Sequence, residues 1–266
     1  MPTLCETFKH LAQCTWEEIE ISRQVNFPLK EETHTDNNIL SLKYTNSEEV
    51  ITHTFSRHAE GRNGADWEWW FLNDTGRSIG FRVQAKTIDI GTERYEHLHY
   101  RSWGRYQCDK LIERASGGIR PLIPIYCFYT HTHNEDLLSD WSCCLEDEDK
   151  SLFGCSIASA YIVQTWQEGH LRALSDIHEY LRPWHCLVCC ASHGGHSFPD
   201  RIERYVRNTH FFPETKNESA INFPESFVSN SLPDYIQNIK SGNLGNIKAP
   251  DKYLGGVLII TEKERK

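Results

Sequence analysis

The chain has 266 residues, 39% of them apolar and 24% charged, which supports a packed core and excludes a disordered or collagen-like polymer. Its formal charge of −9 argues against a protein that coats nucleic acid through broad electrostatics. Mean hydropathy is −0.56, and no apolar run approaches the ~18 residues of a membrane span.

The start, Met1-Pro2-Thr3-Leu4-Cys5-Glu6, lacks the basic and apolar regions of a signal peptide. The expectation is a cytoplasmic chain with no membrane partner. Its ten cysteines then read as thiols, most of them small buried hydrophobes.

Leu4, Phe8, Leu11, Ala12, Trp16 and Ile19 recur at helical spacing and predict an amphipathic helix that Phe27-Pro28 ends. A second helix is expected to about Tyr44, with Thr33 or Thr35 as its cap. Val50 to Phe55 is rich in β-branched residues and reads as a strand. Ala65–Leu72 and Ser78–Ile88 are the clearest strands, and Asn73-Asp74-Thr75-Gly76 between them predicts an antiparallel hairpin. A helix over about Trp103–Ala115 and a buried strand over Leu122–Tyr129 follow. Further on, Cys155–Trp166 and Leu171–Leu181 read as helical, and His185–Ala191 and Tyr253–Thr261 as strands. Residues 193–250 are rich in Asn, Ser, Pro and Gly and give no clear order.

Charge is segregated. Arg77–Arg120 holds nine basic residues against five acidic, a net of +4, whereas Glu135–Lys150 is strongly acidic and reads as a solvated loop.

Side chains alternate faces along a strand. In the first hairpin strand Asp66, Glu68 and Trp70 share one face, opposite Trp67, Trp69 and Phe71. In the second, Gln84 and Lys86 share a face. Trp67, Trp69 and Phe71 suit packing against a helix, while Trp70, beside the carboxylates, is the tryptophan expected to line a cleft. Acidic and basic residues within apolar strands need a reason, and one is a salt-bridged surface. The other is metal-assisted phosphodiester hydrolysis. Asp66 and Gln84 offer hard oxygen ligands for Mg²⁺, Lys86 can stabilise developing negative charge, and Glu32 or Glu31 from the preceding helix can complete the shell.

The order helix with Glu, strand, strand opening at Gly-x-Asp, strand ending in Gln-x-Lys, helix, strand resembles the restriction-endonuclease-like PD-(D/E)XK nucleases. Gln84-Ala85-Lys86 is similar to the Mrr-type variant. The blocks at 31–36, 64–69 and 84–86, with 126–129 and 183–189, also resemble an uncharacterised bacterial family of this type. The resemblance covers about residues 31–130. It implies an α/β fold with a mixed central sheet flanked by helices: residues 1–130 as an N-terminal helix plus nuclease-like core, and 131–266 as a helical or irregular extension packed on it. It implies an Mg²⁺- or Mn²⁺-dependent nuclease, acting on DNA, with a role in bacterial defence. Asp66, Gln84 and Glu32 are then the metal ligands and Lys86 the catalytic lysine. Glu60 is a rival to Glu32, and Glu68 is a further candidate. Gln84 removes one negative charge from the shell, which leaves open a non-catalytic nucleic-acid-binding or scaffold module of the same fold. A partner subunit or homo-oligomer is compatible with either.

Cys186-x2-Cys189-x3-His193-x2-His196 has zinc-ligand types, but the apolar run through it reads as a core strand, so zinc is not expected. His131-x-His133 reads as structural histidines at a strand end, with metal binding held in reserve. Trp103 is a candidate for stacking on a base.

Overall fold

The computed structural model describes residues 2–55, 66–118, 120–138, 149–189, 193–209, 211–212, 225–245 and 247–263. Two helices open the chain, α1 (Leu4–Gln24) and α2 (Glu31–Thr45). Strands β1 (Val50–Thr54), β2 (Asp66–Leu72) and β3 (Ser78–Thr87) follow. A small ribbon, β4 (Arg101–Ser102) and β5 (Arg105–Tyr106), then leads into α3 (Gln107–Ser116) and β6 (Ile123–Tyr129). Next come β7 (Cys155–Ser159), α4 (Ala160–Gly169), α5 (Leu174–Ile177), β8 (Arg182–Pro183) and α6 (Cys186–Cys189). The last elements are α7 (Phe198–Asn208), α8 (Asp234–Lys240) and β9 (Leu254–Thr261).

Seven strands form one mixed sheet in the order β1-β9-β2-β3-β6-β7-β8. β2 and β3 pair antiparallel as expected, with Trp67 opposite Val83 and Glu68 opposite Arg82. β3 and β6 are parallel, joined by the crossover through α3. β9 runs parallel to β2 and antiparallel to β1, so it separates the first two strands. Residues after 130 are therefore more than a helical or irregular extension, since they supply β7, β8 and β9 to the same sheet.

The strand alternation builds two cores. Trp69, Phe71, Phe81, Leu258 and Ile260 face α1, α7 and Trp184. Trp70, Leu72, Val257 and Ile259 face Leu122 and, from α8, Ile236 and Ile239. Gly256 sits opposite Trp67, and a Cβ there would meet that indole at 2.5 Å, so the close approach of β9 requires glycine. No described helix is long and apolar enough to cross a membrane.

Several local expectations change. Lys30, with no side-chain bond, caps α2, while Thr35 lies inside the helix and bonds the Glu31 carbonyl and the Tyr129 hydroxyl. Residues 155–159 are a strand rather than the start of a helix, because they pair with β6. His185–Ala191 was expected to be a strand, but 186–189 is the short helix α6. Trp184 turns the chain there by donating its indole N–H to the Phe8 carbonyl at 2.8 Å. Most of the acidic stretch lies outside the described residues.

Cys14, Cys108, Cys127, Cys155 and Cys186 are free thiols as expected, four of them buried, but one pair needs correction. Cys5 and Cys189 form a disulfide across 184 residues, tying α1 to α6. Chain entropy assigns a loop of this length up to about 5 kcal/mol of stabilisation. Reduction, or the Cys5→Ala/Cys189→Ala double substitution, is expected to lower the thermal midpoint. Mass spectrometry of the non-reduced digest should show the Cys5–Cys189 peptide pair.

Candidate functional site

Of the predicted constellation, Gln84 and Lys86 sit in the C-terminal half of β3. Gln84 and Lys86 lie on one face, two residues apart, and both are buried. A buried ammonium needs a partner. Lys86 Nζ lies 3.5 Å from Oε2 of Glu31, the first residue of α2, where the helix dipole favours a carboxylate. The structure thus brings Glu31, and not Glu32, to the lysine. Glu32 is a near neighbour that raises the Glu31 pKa electrostatically. Burial is the main cause that lifts the Glu31 carboxyl above its usual range; Lys86 and, more weakly, His97 oppose it.

Gln84 is held from the other side. Its Oε1 accepts a 2.8 Å hydrogen bond from Nε2 of Gln107, the first residue of α3. Asp66 opens β2, one residue before the Trp67–Val83 pair, and its backbone pairs with Leu254 of β9 across a register shift. The Asp66 side chain lies outside the described residues, as does all of Glu60.

Glu68 and Trp70 belong elsewhere. Arg82 Nη1 donates to Glu68 Oε1 at 3.0 Å, and each side chain is 2% exposed. Trp70 Nε1 donates to the same carboxylate at 3.0 Å, and the Tyr235 hydroxyl donates to it as well. Arg82 also reaches Asp251 at 3.0 Å. Burial and the adjacent Glu68 push the Tyr235 hydroxyl far above its ordinary pKa, so it stays a donor. Glu68 is consumed by this buried network, and Trp70 is fully buried in the core rather than lining a cleft. The reason is the β2–β3 register, which puts a cation, not solvent, opposite the carboxylate.

Two other features bear on binding. The β4–β5 turn carries Trp103 at φ 55° beside Gly104 at φ 74°, and Trp103 is 98% exposed between Arg101 and Arg105. A bulky residue at positive φ is uncommon. A groove of about 650 Å³ between α1 and α2 contains none of the constellation. In the 186–196 segment the Cys189 sulfur is bonded to Cys5, which removes it as a metal ligand or nucleophile.

The family model described as "Family of unknown function (DUF6615)" matches residues 4–266. The chain belongs to that family. No curated protein and no solved structure matches it. The DUF6615 match runs from α1 through β9, and so spans both the hairpin and the strand inserted beside it.

Sequence reasoning did not single out Gln107, and of Glu32 or Glu31 it favoured Glu32, whereas the residue in contact with Lys86 is Glu31. Glu31 and Glu32 both lie in the first turn of α2, so the preference of a helix start for a carboxylate does not choose between them. A raised carboxyl pKa in the folded state means stability contributed at acid pH is lost as pH rises through that pKa. Glu31→Gln should therefore gain stability relative to the parent as pH climbs above the ordinary Glu value, about 4.3. Parallel thermal melts of the two proteins from acid to neutral pH check the sign.

Proposed function

We propose that this chain is a metal-dependent nuclease that hydrolyses phosphodiester bonds, with DNA as the expected substrate. The observation that carries the reading is the pairing of Lys86 with Glu31 at the end of β3, with Gln84 on the same face and Asp66 at the start of the adjoining strand. The donor set of carboxylates and one amide oxygen suits Mg²⁺ or Mn²⁺. Asp66, Gln84 and Glu31, with Glu32 beside it, would hold the ion. Such an ion, when bound, neutralises phosphate charge and makes bound water a stronger acid.

The protein's own groups have distinct parts. Lys86 places a positive charge where the pentavalent phosphorus centre becomes more negative. Glu31 orients that ammonium through its 3.5 Å contact with Nζ. Exposed Trp103, flanked by Arg101 and Arg105, offers a base-stacking tip on the segment with net charge +4. A role in bacterial defence, a partner subunit and a homo-oligomer are further proposals that rest on the resemblance.

One observation favours the second reading, a non-catalytic nucleic-acid-binding module. Gln84 is already bonded by Gln107, and Lys86 is paired with Glu31, within the chain itself. Cleavage of plasmid and single-stranded DNA in Mg²⁺ or Mn²⁺ separates the two. Lys86→Ala should lower cleavage by at least about 100-fold, a typical loss for one charge-stabilising group, whereas Gln84→Glu should retain it. If Lys86→Ala cuts as fast as the parent, the site assignment is wrong. If neither protein cuts but both bind DNA, the binding module takes its place.

Trp103→Ala tests the partner. Loss of one stacked base costs about 1–3 kcal/mol, so single-stranded DNA affinity should fall between about fivefold and a hundredfold. The exposure of this residue predicts an unchanged thermal midpoint.

A further inference from the structure

Beyond the end of β6 the chain places His131 and His133 against the C-terminal part of α1. Glu20 of that helix points its Oε2 at both rings: 3.3 Å to His131 Nε2 and 3.6 Å to His133 Nε2. All three ligand atoms lie within 4.8 Å of one another. Tetrahedral coordination at zinc bond lengths places neighbouring ligand atoms about 3.3–3.5 Å apart, so the two edges from Glu20, 3.3 and 3.6 Å, are close to that size.

The decisive feature is what these atoms do not do. Glu20 Oε2 is shielded from solvent yet takes no hydrogen bond, despite two imidazole nitrogens at close range. A carboxylate oxygen buried without a donor is costly. Two imidazole nitrogens and a carboxylate oxygen thus crowd together while that oxygen takes no hydrogen bond, a grouping that one shared cation would satisfy.

The surroundings fit that arrangement. Glu20 Oε1 accepts from Gln24 Nε2 at 2.9 Å, which fixes the carboxylate's orientation. The Trp16 ring packs 4.6 Å from the buried His131 ring. Arg23 is the nearby charge that opposes a cation, 4.0 Å from Glu20 Oε2. Glu93, 3.6 Å from Arg23, offsets it. His133 is 65% exposed, so the site opens to solvent on one side.

We propose that Glu20, His131 and His133 bind a divalent transition-metal ion of the zinc class, with the fourth position open to water or a substrate oxygen. Two imidazoles and one carboxylate select Zn²⁺ or Co²⁺ over Mg²⁺, which prefers an all-oxygen shell. The site uses none of the residues assigned to phosphodiester hydrolysis. Its sequence trace is His-x-His after a strand; the glutamate comes from a helix more than 100 residues earlier.

The test uses the full chain, stripped with a chelator and titrated with Zn²⁺, Co²⁺ or Mg²⁺. The parent should bind one equivalent of Zn²⁺ at this site with a rise in thermal midpoint. Co²⁺ should give visible d–d bands without thiolate charge transfer, and Mg²⁺ at equal concentration should give no shift. His133→Asn, at an exposed position, should weaken Zn²⁺ binding at least tenfold while leaving the metal-free midpoint unchanged. Glu20→Gln should weaken it similarly. Lys86→Ala should bind Zn²⁺ as the parent does, even if the nuclease reading fails. Equal affinity in the parent and His133→Asn, thiolate bands with Co²⁺, an equal Mg²⁺ response, or loss of Zn²⁺ binding in Lys86→Ala would each overturn the proposal.

Discussion

The insertion of β9 between β1 and β2 is the constraint on which the rest of the structure depends. A strand in the middle of a sheet must satisfy its backbone groups on both edges and bury side chains on both faces. β9 does so with Leu258 and Ile260 on one side and Val257 and Ile259 on the other. Its approach to β2 is permitted by Gly256 beneath Trp67. The segment that precedes it carries Asp251 to Arg82, and α8 carries Tyr235 to Glu68. The buried Arg82–Glu68 pair is therefore completed by groups that arrive only with the C-terminal chain. Removing one partner of such a pair leaves an uncompensated charge in the core.

The same sheet explains where the polar clusters lie. β3 and β6 are parallel, and Lys86 and the His131 loop both fall at their C-terminal ends. In open α/β sheets this is the end where loops diverge and ligands bind. The C-terminal part of α1 brings Glu20 to this end, and the first turn of α2 brings Glu31. The helices that pack the core thus also deliver the carboxylates, so packing and chemistry share elements.

Much of this organisation is written in local pattern. The alternation of 66–72 and 78–87 around Asn73–Gly76 specifies the hairpin, because side chains two residues apart must share a face. Gln84 and Lys86 could therefore be assigned to one face from the sequence, and Trp69 and Phe71 to the helix-packed core. Helical spacing likewise specified α1 and α2 to within a few residues. The failures were local patterns that tertiary pairing overrode. An apolar run at 155–159 is equally good helix or strand until β6 lies beside it, and 185–189 reads as a strand until Trp184 is anchored to α1.

By itself, then, the sequence determined the period-2 and period-3.6 elements and the polar residues placed within apolar strands. Each follows from residues within one or two turns of one another. Tertiary structure alone decided that Glu31 rather than Glu32 meets Lys86, that Glu68 is spent on Arg82, Trp70 and Tyr235, and that Cys5 finds Cys189. It also decided that Glu20 meets His131 and His133. Most of these contacts join residues far apart in the chain, where no short-range periodicity carries information. Between adjacent glutamates the choice rests on helix rotation, which the packing of α2 against the sheet sets.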